Sequence, residues 1–159
     1  MTRDTISATF DGSCWPNPHG KAGYGFVVYR NGIRIHDESG EVGNGYGMTN
    51  NVAEAEGLCR LIDYLISEKL PPNSKINIAG DSRVVINVAR GKRNNPQGYF
   101  ASRAMEARAK FNTLKASCPH ATLAWISRAE NSEADELSRP EGVNYEEDRM
   151  RSMRQRRSS

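Results

Sequence analysis

Long apolar runs are absent from this sequence of 159 residues. No stretch approaches the ~18 consecutive apolar residues of a membrane-spanning helix, and the opening segment, MTRDTISATFDGS, has no apolar part like that of a signal peptide. Cysteine is also scarce, since Cys14, Cys59 and Cys118 lie far apart and form no C-x-x-C pair. This spacing indicates neither a disulfide framework nor a zinc site. We therefore expect a cytoplasmic protein in a reducing compartment, without membrane contact.

The composition is that of a folded protein with one domain. Hydrophobic residues make up 37% and charged residues 26% of the chain, which is ordinary for a globular protein with a single core. Residues 149–159 hold five arginines and no acid, whereas residues 1–148 hold 17 Lys and Arg against 19 acids. We predict a catalytic domain over residues 1–140 and an arginine-rich, flexible tail over 141–159. The tail is either a solvated terminus or an aid to binding phosphate backbones.

Hydrophobic periodicity predicts an α/β fold. TISATFD, residues 5–11, alternates as a strand does, and Asn31-Gly32 is a strong signal for a hairpin between two further strands. Over residues 49–69 the apolar spacing becomes helical. The predicted elements are strands at 5–11, 22–30, 33–42, 75–81 and 121–127, and helices at 49–69, 82–90, 99–117 and 131–138. Their order, βββαβααβα, implies a mixed sheet with helices packed on it.

Four acids are candidate functional residues, although each has an ordinary structural explanation. The explanations are a turn at Asp11, a capping box at Glu54, a helix cap at Asp81 and an i,i+4 ion pair at Asp135. Taken singly, each acid is better explained by structure than by function. Only their joint placement points to chemistry.

Together the four acids predict a metal site. Asp11 and Asp81 stand at the predicted carboxyl ends of strands, where α/β sheets build their sites. Glu54 begins the apolar face of a helix, and Asp135 lies in the first turns of the last helix. Clustered carboxylates repel one another unless cations neutralise them, and such hard oxygen ligands suit Mg²⁺ or Mn²⁺.

Four segments, each carrying one of these acids, resemble the motifs of type 1 ribonuclease H in order and spacing. They are DGSCWPNPHGKAGYG, TNNVAEAEGL, GDSRVVIN and WISRAENSEADELS. The resemblance covers about residues 10–139. It implies a ribonuclease H-like fold, in which a five-stranded mixed sheet of three antiparallel and then two parallel strands is flanked by helices. It also implies an endoribonuclease that hydrolyses the RNA strand of RNA–DNA hybrids.

The resemblance extends to mechanism and substrate contacts. Two Mg²⁺ ions, replaceable by Mn²⁺, would clamp the scissile phosphate and leave 5′-phosphate and 3′-hydroxyl ends. Asp11 would bridge both ions, with Glu54 and Asp81 on one side and Asp135 on the other. Side chains near the hybrid would read 2′-hydroxyls and minor-groove edges with little sequence preference. Those implied by the resemblance are Ser13, Cys14, Asn17, Thr49, Asn50, Asn51 and Arg83.

Two features depart from the family pattern. The loop SRAEN before the last acid is short and has no histidine, as in short archaeal-like members, and Arg128 is the closest candidate to replace it. We hypothesise that Arg128 contacts the phosphate or assists product release. The long basic protrusion of some members is reduced to GKRNNPQG. We hypothesise that the arginine-rich tail partly substitutes for it.

Other functions on the same fold stay open at this point. A non-catalytic hybrid- or RNA-binding module would have no need for four mutually repelling carboxylates. A proofreading exonuclease of the wider superfamily usually has a D-x-E pair, where this chain has Asp11-Gly12-Ser13. We expect a monomer whose partner is an RNA–DNA hybrid, with double-stranded RNA left open as a second substrate.

Overall fold

The computed structural model describes residues 3–140. The strands are β1 Thr5–Trp15, β2 Lys21–Arg30, β3 Ile33–Asn44, β4 Lys75–Gly80 and β5 Ala121–Trp125. The helices are α1 Asn50–Ser67, α2 Arg83–Ala89, α3 Ala101–Ser117 and α4 Ser132–Ser138, the last preceded by a 3₁₀ turn over Arg128–Asn131. The predicted arginine-rich tail, residues 141–159, lies outside the described residues, so the domain boundary after residue 140 stays a prediction.

The five strands form one mixed sheet in the order β3-β2-β1-β4-β5. β1 pairs antiparallel with β2, and β2 pairs antiparallel with β3. β4 runs parallel to β1 on its other side, and β5 runs parallel to β4. The predicted five-stranded mixed sheet flanked by helices is therefore confirmed. The two-residue connection between β2 and β3 has positive φ at both Asn31 and Gly32, as the hairpin signal predicted.

The core lies between the sheet and helices α1, α2 and α3. Apolar side chains of β1 and β4 alternate inward and meet the apolar faces of these helices. Its largest fully buried members include Phe10, Phe26, Leu58, Leu61, Ile62, Ile76, Ile78 and Leu114. Among residues 3–140 no helix combines the length and the apolar character needed to cross a membrane.

The first strand is longer than the sequence pattern predicted. It continues past Asp11 to Trp15, since β2 pairs with it up to the Trp15–Lys21 position. The turn considered for Asp11-Gly12 and the strand end placed at Asp11 were therefore wrong. The parallel pairing with β4 does stop at Phe10 opposite Gly80. Asp11 thus stands where the sheet loses one of its two neighbouring strands, which opens space beside the carboxylate.

Candidate active site

Three acids meet where β1, the end of β4 and the start of α1 come together. One carboxylate oxygen from each of Asp11, Glu54 and Asp81 lies within 4.8 Å of the others. Asp11 and Glu54 are buried, with 3% and 7% of their surface exposed, and Asp81 is half-buried. Three oxygen ligands this close to one another form a suitable site for a hard divalent cation.

A close approach between α1 and β1 brings Glu54 to Asp11. A Cβ atom at Gly12 would lie 2.2 Å from the backbone nitrogen of Glu54, and one at Gly57 would lie 2.9 Å from the carbonyl oxygen of Asp11. Any larger residue at Gly12 would therefore push the helix away from the strand. Gly12 is required for this contact rather than for a turn.

The start of α1 is fixed by Thr49. Its Oγ1 atom accepts a hydrogen bond from the backbone N–H of Val52 at 3.1 Å, which satisfies one of the free donors of the first helical turn. The helix therefore begins before Asn51, and the capping box considered for Asn51 and Glu54 was wrong. Glu54 is instead buried among the other acids.

Burial and mutual repulsion raise the pKa values of two of these acids. Loss of hydration, followed by the charges of Asp81 and Asp135, raises the pKa of Asp11 to about 8. Burial, followed by the charges of Asp11 and Asp81, raises the pKa of Glu54 well above its usual range. Without a cation, the protein thus keeps protons in this cluster near neutral pH.

One oxygen of Glu54 supports the fit of a cation directly. Its Oε2 atom is buried and finds no hydrogen-bond partner among the described residues. Once the cluster is fully ionised, Glu54 and its neighbours Asp11 and Asp81 are all acceptors, and none of the three can donate a hydrogen bond to this oxygen. A divalent cation would both satisfy this oxygen and offset the repulsion among the three charges.

Asp135 lies in the same cavity but outside the three-oxygen group. Helix α4 approaches the sheet at Gly25, where a Cβ atom would lie 2.5 Å from that of Leu137. Because Gly25 pairs with Asp11 across the two strands, this contact brings α4 beside the acidic cluster. The Oδ2 atom of Asp135 accepts a hydrogen bond from Nη2 of Arg139 at 2.9 Å, so the predicted i,i+4 pair is present.

A cavity of about 490 Å³ surrounds the acids. It is also lined by five of the residues predicted to contact substrate, namely Ser13, Cys14, Asn17, Asn50 and Arg128. Hydrogen bonds connect several of them: the Cys14 backbone N–H donates to Oδ1 of Asn50 at 2.7 Å, and the Asn50 backbone N–H donates to Oδ1 of Asn17 at 3.1 Å. The first two motifs thus form one connected wall of the cavity.

The other three predicted contacts lie outside the cavity lining. Thr49 caps α1, and Oδ1 of Asn51 accepts a hydrogen bond from Oγ of Ser82 at 3.3 Å. The guanidinium carbon of Arg83 lies 3.9 Å from the ring centroid of Trp125. A substrate role for these three side chains stays a prediction.

Sequence patterns missed three residues that shape the site. Arg139 lines the cavity beside Asp135. Asn131 is 1% exposed, and its Nδ2 atom donates to the carbonyl of Phe10 at 2.9 Å and to the carboxylate of Asp81 at 3.4 Å. Trp125 donates its indole N–H to the backbone carbonyl of Asp81 at 3.1 Å. Trp125 and Asn131 lie within the segment WISRAENSEADELS, but no local pattern in that segment assigned either of them a role in the site.

Comparison with known proteins places this arrangement in a family. A sequence model described as RNase H matches residues 4–141. The structure of LC11-RNase H1 in complex with an RNA/DNA hybrid is 28% identical, covers 84% of this chain and 93% of that one, and superposes with a TM-score of 0.68. RNase H1 from the halophilic archaeon Halobacterium salinarum shares the fold at 23% identity, with coverage of 84% and 94% and a TM-score of 0.68. The N-terminal RNase H domain of a Mycobacterium tuberculosis protein also shares the fold. It is 24% identical, with 84% of this chain and 90% of that one covered and a TM-score of 0.66.

Proposed function

The chain belongs to the RNase H family of metal-dependent nucleases, and we propose that it hydrolyses the RNA strand of RNA–DNA hybrids at the cavity around Asp11. The observation that carries the proposal is the meeting of three carboxylate oxygens within 4.8 Å in that cavity. A pure binding module gains nothing from such a cluster, because its repulsion and burial cost stability.

Asp11, Glu54, Asp81 and Asp135 would hold two Mg²⁺ ions, or Mn²⁺ in their place. The partnerless oxygen of Glu54 and the all-oxygen donor set support this assignment. Bound divalent ions supply charge stabilisation for the phosphate and a more acidic water for the attack. Asp11 interacts with each of the other three acids, Asp81, Asp135 and Glu54, so it would help to hold both ions.

The cavity wall would position the RNA strand. Asn50 and Asn17 combine amide donors and acceptors that suit 2′-hydroxyl groups. Both side chains are already held in place, because Oδ1 of Asn17 accepts from the Asn50 backbone N–H and Oδ1 of Asn50 accepts from the Cys14 backbone N–H. Little ordering is therefore needed when the strand binds. Recognition through 2′-hydroxyls favours RNA over DNA at the cleaved strand and carries little sequence preference.

Arg128 would serve where longer members of the family use a loop histidine. It lies in the 3₁₀ turn over Arg128–Asn131 and lines the same cavity as the acids. An arginine stays protonated at all physiological pH values, so it suits contact with a phosphate or release of a charged product better than proton transfer. This assignment makes the chain a short-loop, archaeal-like type 1 enzyme.

The remaining expectations belong to the same proposal. The enzyme would act as a monomer in the cytoplasm, and the three free cysteines fit a reducing compartment. It would leave 5′-phosphate and 3′-hydroxyl ends. Double-stranded RNA, which also presents 2′-hydroxyls in its minor groove, is the second substrate to examine.

A panel of four labelled substrates tests the proposed specificity: RNA–DNA hybrid, duplex RNA, single-stranded RNA and duplex DNA, each with Mg²⁺ or Mn²⁺. We expect internal cleavage of the RNA strand of the hybrid, and products that a polynucleotide ligase joins directly because they carry 5′-phosphates. Cleavage confined to strand ends would identify an exonuclease instead. Hybrid binding without cleavage in either metal would identify a binding module.

A further inference from the structure

Asp81 is the least buried of the three close acids and therefore the one most easily pushed out by repulsion. It follows β4 and precedes the helix cap Ser82, so no strand or helix fixes its backbone. Its position must be set by side-chain contacts. Trp125 and Asn131 contact Asp81 directly, and Arg83 contacts Trp125.

The first contact is to the backbone. Trp125 is the last residue of β5, opposite Gly80, and its indole N–H donates to the Asp81 carbonyl at 3.1 Å. An indole N–H is a donor only and cannot exchange roles with its partner. The hydrogen bond therefore ties Asp81 to the end of a neighbouring strand.

The second contact is between Arg83 and the face of the Trp125 ring. The guanidinium carbon of Arg83 lies 3.9 Å from the ring centroid of Trp125, which is still 41% exposed. A guanidinium over an indole face is attracted by the electron density of the ring and shields that face from water. The segment from Asp81 to Arg83 thus holds Trp125 at its edge and at its face.

A third contact reaches the carboxylate itself. The Nδ2 atom of buried Asn131 lies 3.4 Å from Oδ2 of Asp81 and 2.9 Å from the carbonyl oxygen of Phe10, the residue before Asp11. The side-chain amide of Asn131 therefore links the carboxylate of Asp81 to β1, the strand that carries Asp11. Backbone and carboxylate of Asp81 are held separately.

We propose that Trp125, stacked under Arg83, is a positioning residue that keeps Asp81 in the metal-binding arrangement. The inference rests on the proposed function, because it assigns these residues to the metal site of the nuclease. It also gives Arg83 a different role from the substrate contact expected from sequence. Loss of the indole N–H releases Asp81 outward, away from Asp11 and Glu54.

The test is Mn²⁺ binding to the free protein, measured by calorimetry, together with hybrid cleavage kinetics. Trp125→Phe keeps an aromatic ring under Arg83 but removes the N–H. We expect its Mn²⁺ Kd to rise about tenfold, which is typical when a residue that hydrogen-bonds to a metal ligand is lost. The kcat should fall at subsaturating metal, and the KM for hybrid should not change. Tyr64→Phe is the matched control, since it removes one polar hydrogen from a ring stacked on His36, outside the cavity lining.

Arg83→Met provides a second route that leaves the buried core intact. Positioning predicts a rise of about threefold in the Mn²⁺ Kd and no change in hybrid KM, whereas a substrate contact predicts a raised KM with unchanged metal affinity. An unchanged Mn²⁺ Kd in folded Trp125→Phe would overturn the inference, and if that variant does not fold, an unchanged Kd in Arg83→Met would do so. If the unaltered chain neither binds Mn²⁺ nor cleaves hybrid, the proposed function itself fails.

Discussion

The Nη2 atom of Arg139 lies 2.9 Å from the Oδ2 atom of Asp135, and both residues line the cavity of the three close acids. Asp135 is the acid expected to complete the metal site, and it is already paired with a cation of the chain. A metal ion that approaches Asp135 must therefore compete with Arg139. This competition distinguishes Asp135 from Asp11, Glu54 and Asp81.

Arg139→Gln should lower the Mg²⁺ concentration that gives half-maximal activity. The pair is about half exposed on the arginine side, where such pairs contribute up to about 1 kcal/mol, so we expect a shift of about twofold. Arg60→Gln is the matched control, because Arg60 and Glu56 form the same i,i+4 pair at 2.9 Å on α1, outside the cavity lining. A Mg²⁺ dependence that moves equally in both variants would contradict the competition.

The metal-free protein should lose stability as the pH rises. Unfolded Asp11 titrates near pH 4, whereas its pKa in the folded protein is raised to about 8. Between these values the folded state binds more protons, so the free energy of unfolding falls with rising pH. Glu54, whose pKa is also raised, contributes with the same sign.

Asp11→Asn removes one of these ionisations. In EDTA, its thermal midpoint should exceed that of the unaltered chain by roughly 3–6 °C at pH 8 and by much less at pH 5, for an assumed gain of about 1–2 kcal/mol. Mg²⁺ should raise the midpoint of the unaltered chain at pH 8 and have little effect on the variant. A midpoint difference that does not change with pH would contradict the repulsion between these acids.

Arg128→Ala should weaken hybrid cleavage. The guanidinium lines the cavity, and loss of one phosphate contact reduces the salt dependence of binding by about one counterion. Arg3→Ala is the control, since Arg3 donates to the carbonyl of Asn73 outside the cavity lining. Unchanged hybrid affinity and turnover in Arg128→Ala would contradict a role for Arg128 in phosphate contact or product release.

Deletion of residues 149–159 should weaken hybrid binding mainly at low salt. The five arginines of this segment, which lies outside the described residues, can attract phosphates without sequence preference. Binding titrations at two salt concentrations should show a shallower salt slope after the deletion. A variant with the five arginines changed to glutamine should behave like the deletion, and an unchanged slope in both would contradict a role for the tail.

The fold could be predicted because its periodicities are strong and local. The alternation of Ile6, Ala8 and Phe10 and the positive-φ pair Asn31-Gly32 are signals that no distant contact overrides. The end of β1 could not be predicted, because β2 continues to pair with it beyond Asp11 and that pairing depends on a distant segment. Strand ends are set by neighbours more than by composition.

Within the site, the acids could be predicted and their surroundings could not. Each acid matched a metal-binding acid of a family motif. Asn131 and Trp125 lie in one of those motifs too, but they act through hydrogen bonds to residues 44–121 positions away along the chain, which no local pattern shows. The glycine beside Asp11 was also ambiguous, because turns and close helix contacts both require glycine. Only the packing of α1 shows which of the two applies at Gly12.

Single-turnover cleavage of an RNA–DNA hybrid by the unaltered chain and by Asp11→Asn, in saturating Mg²⁺, tests the central claim most directly. The substitution keeps the size of the side chain and removes the negative charge that Asp11 contributes to the acidic cluster. The cleavage rate should fall by more than about a hundredfold, because loss of a residue that only hydrogen-bonds to a metal ligand already lowers activity by about 10–100-fold. The hybrid should still bind. Cleavage by Asp11→Asn at the rate of the unaltered chain would contradict metal-dependent catalysis by these carboxylates.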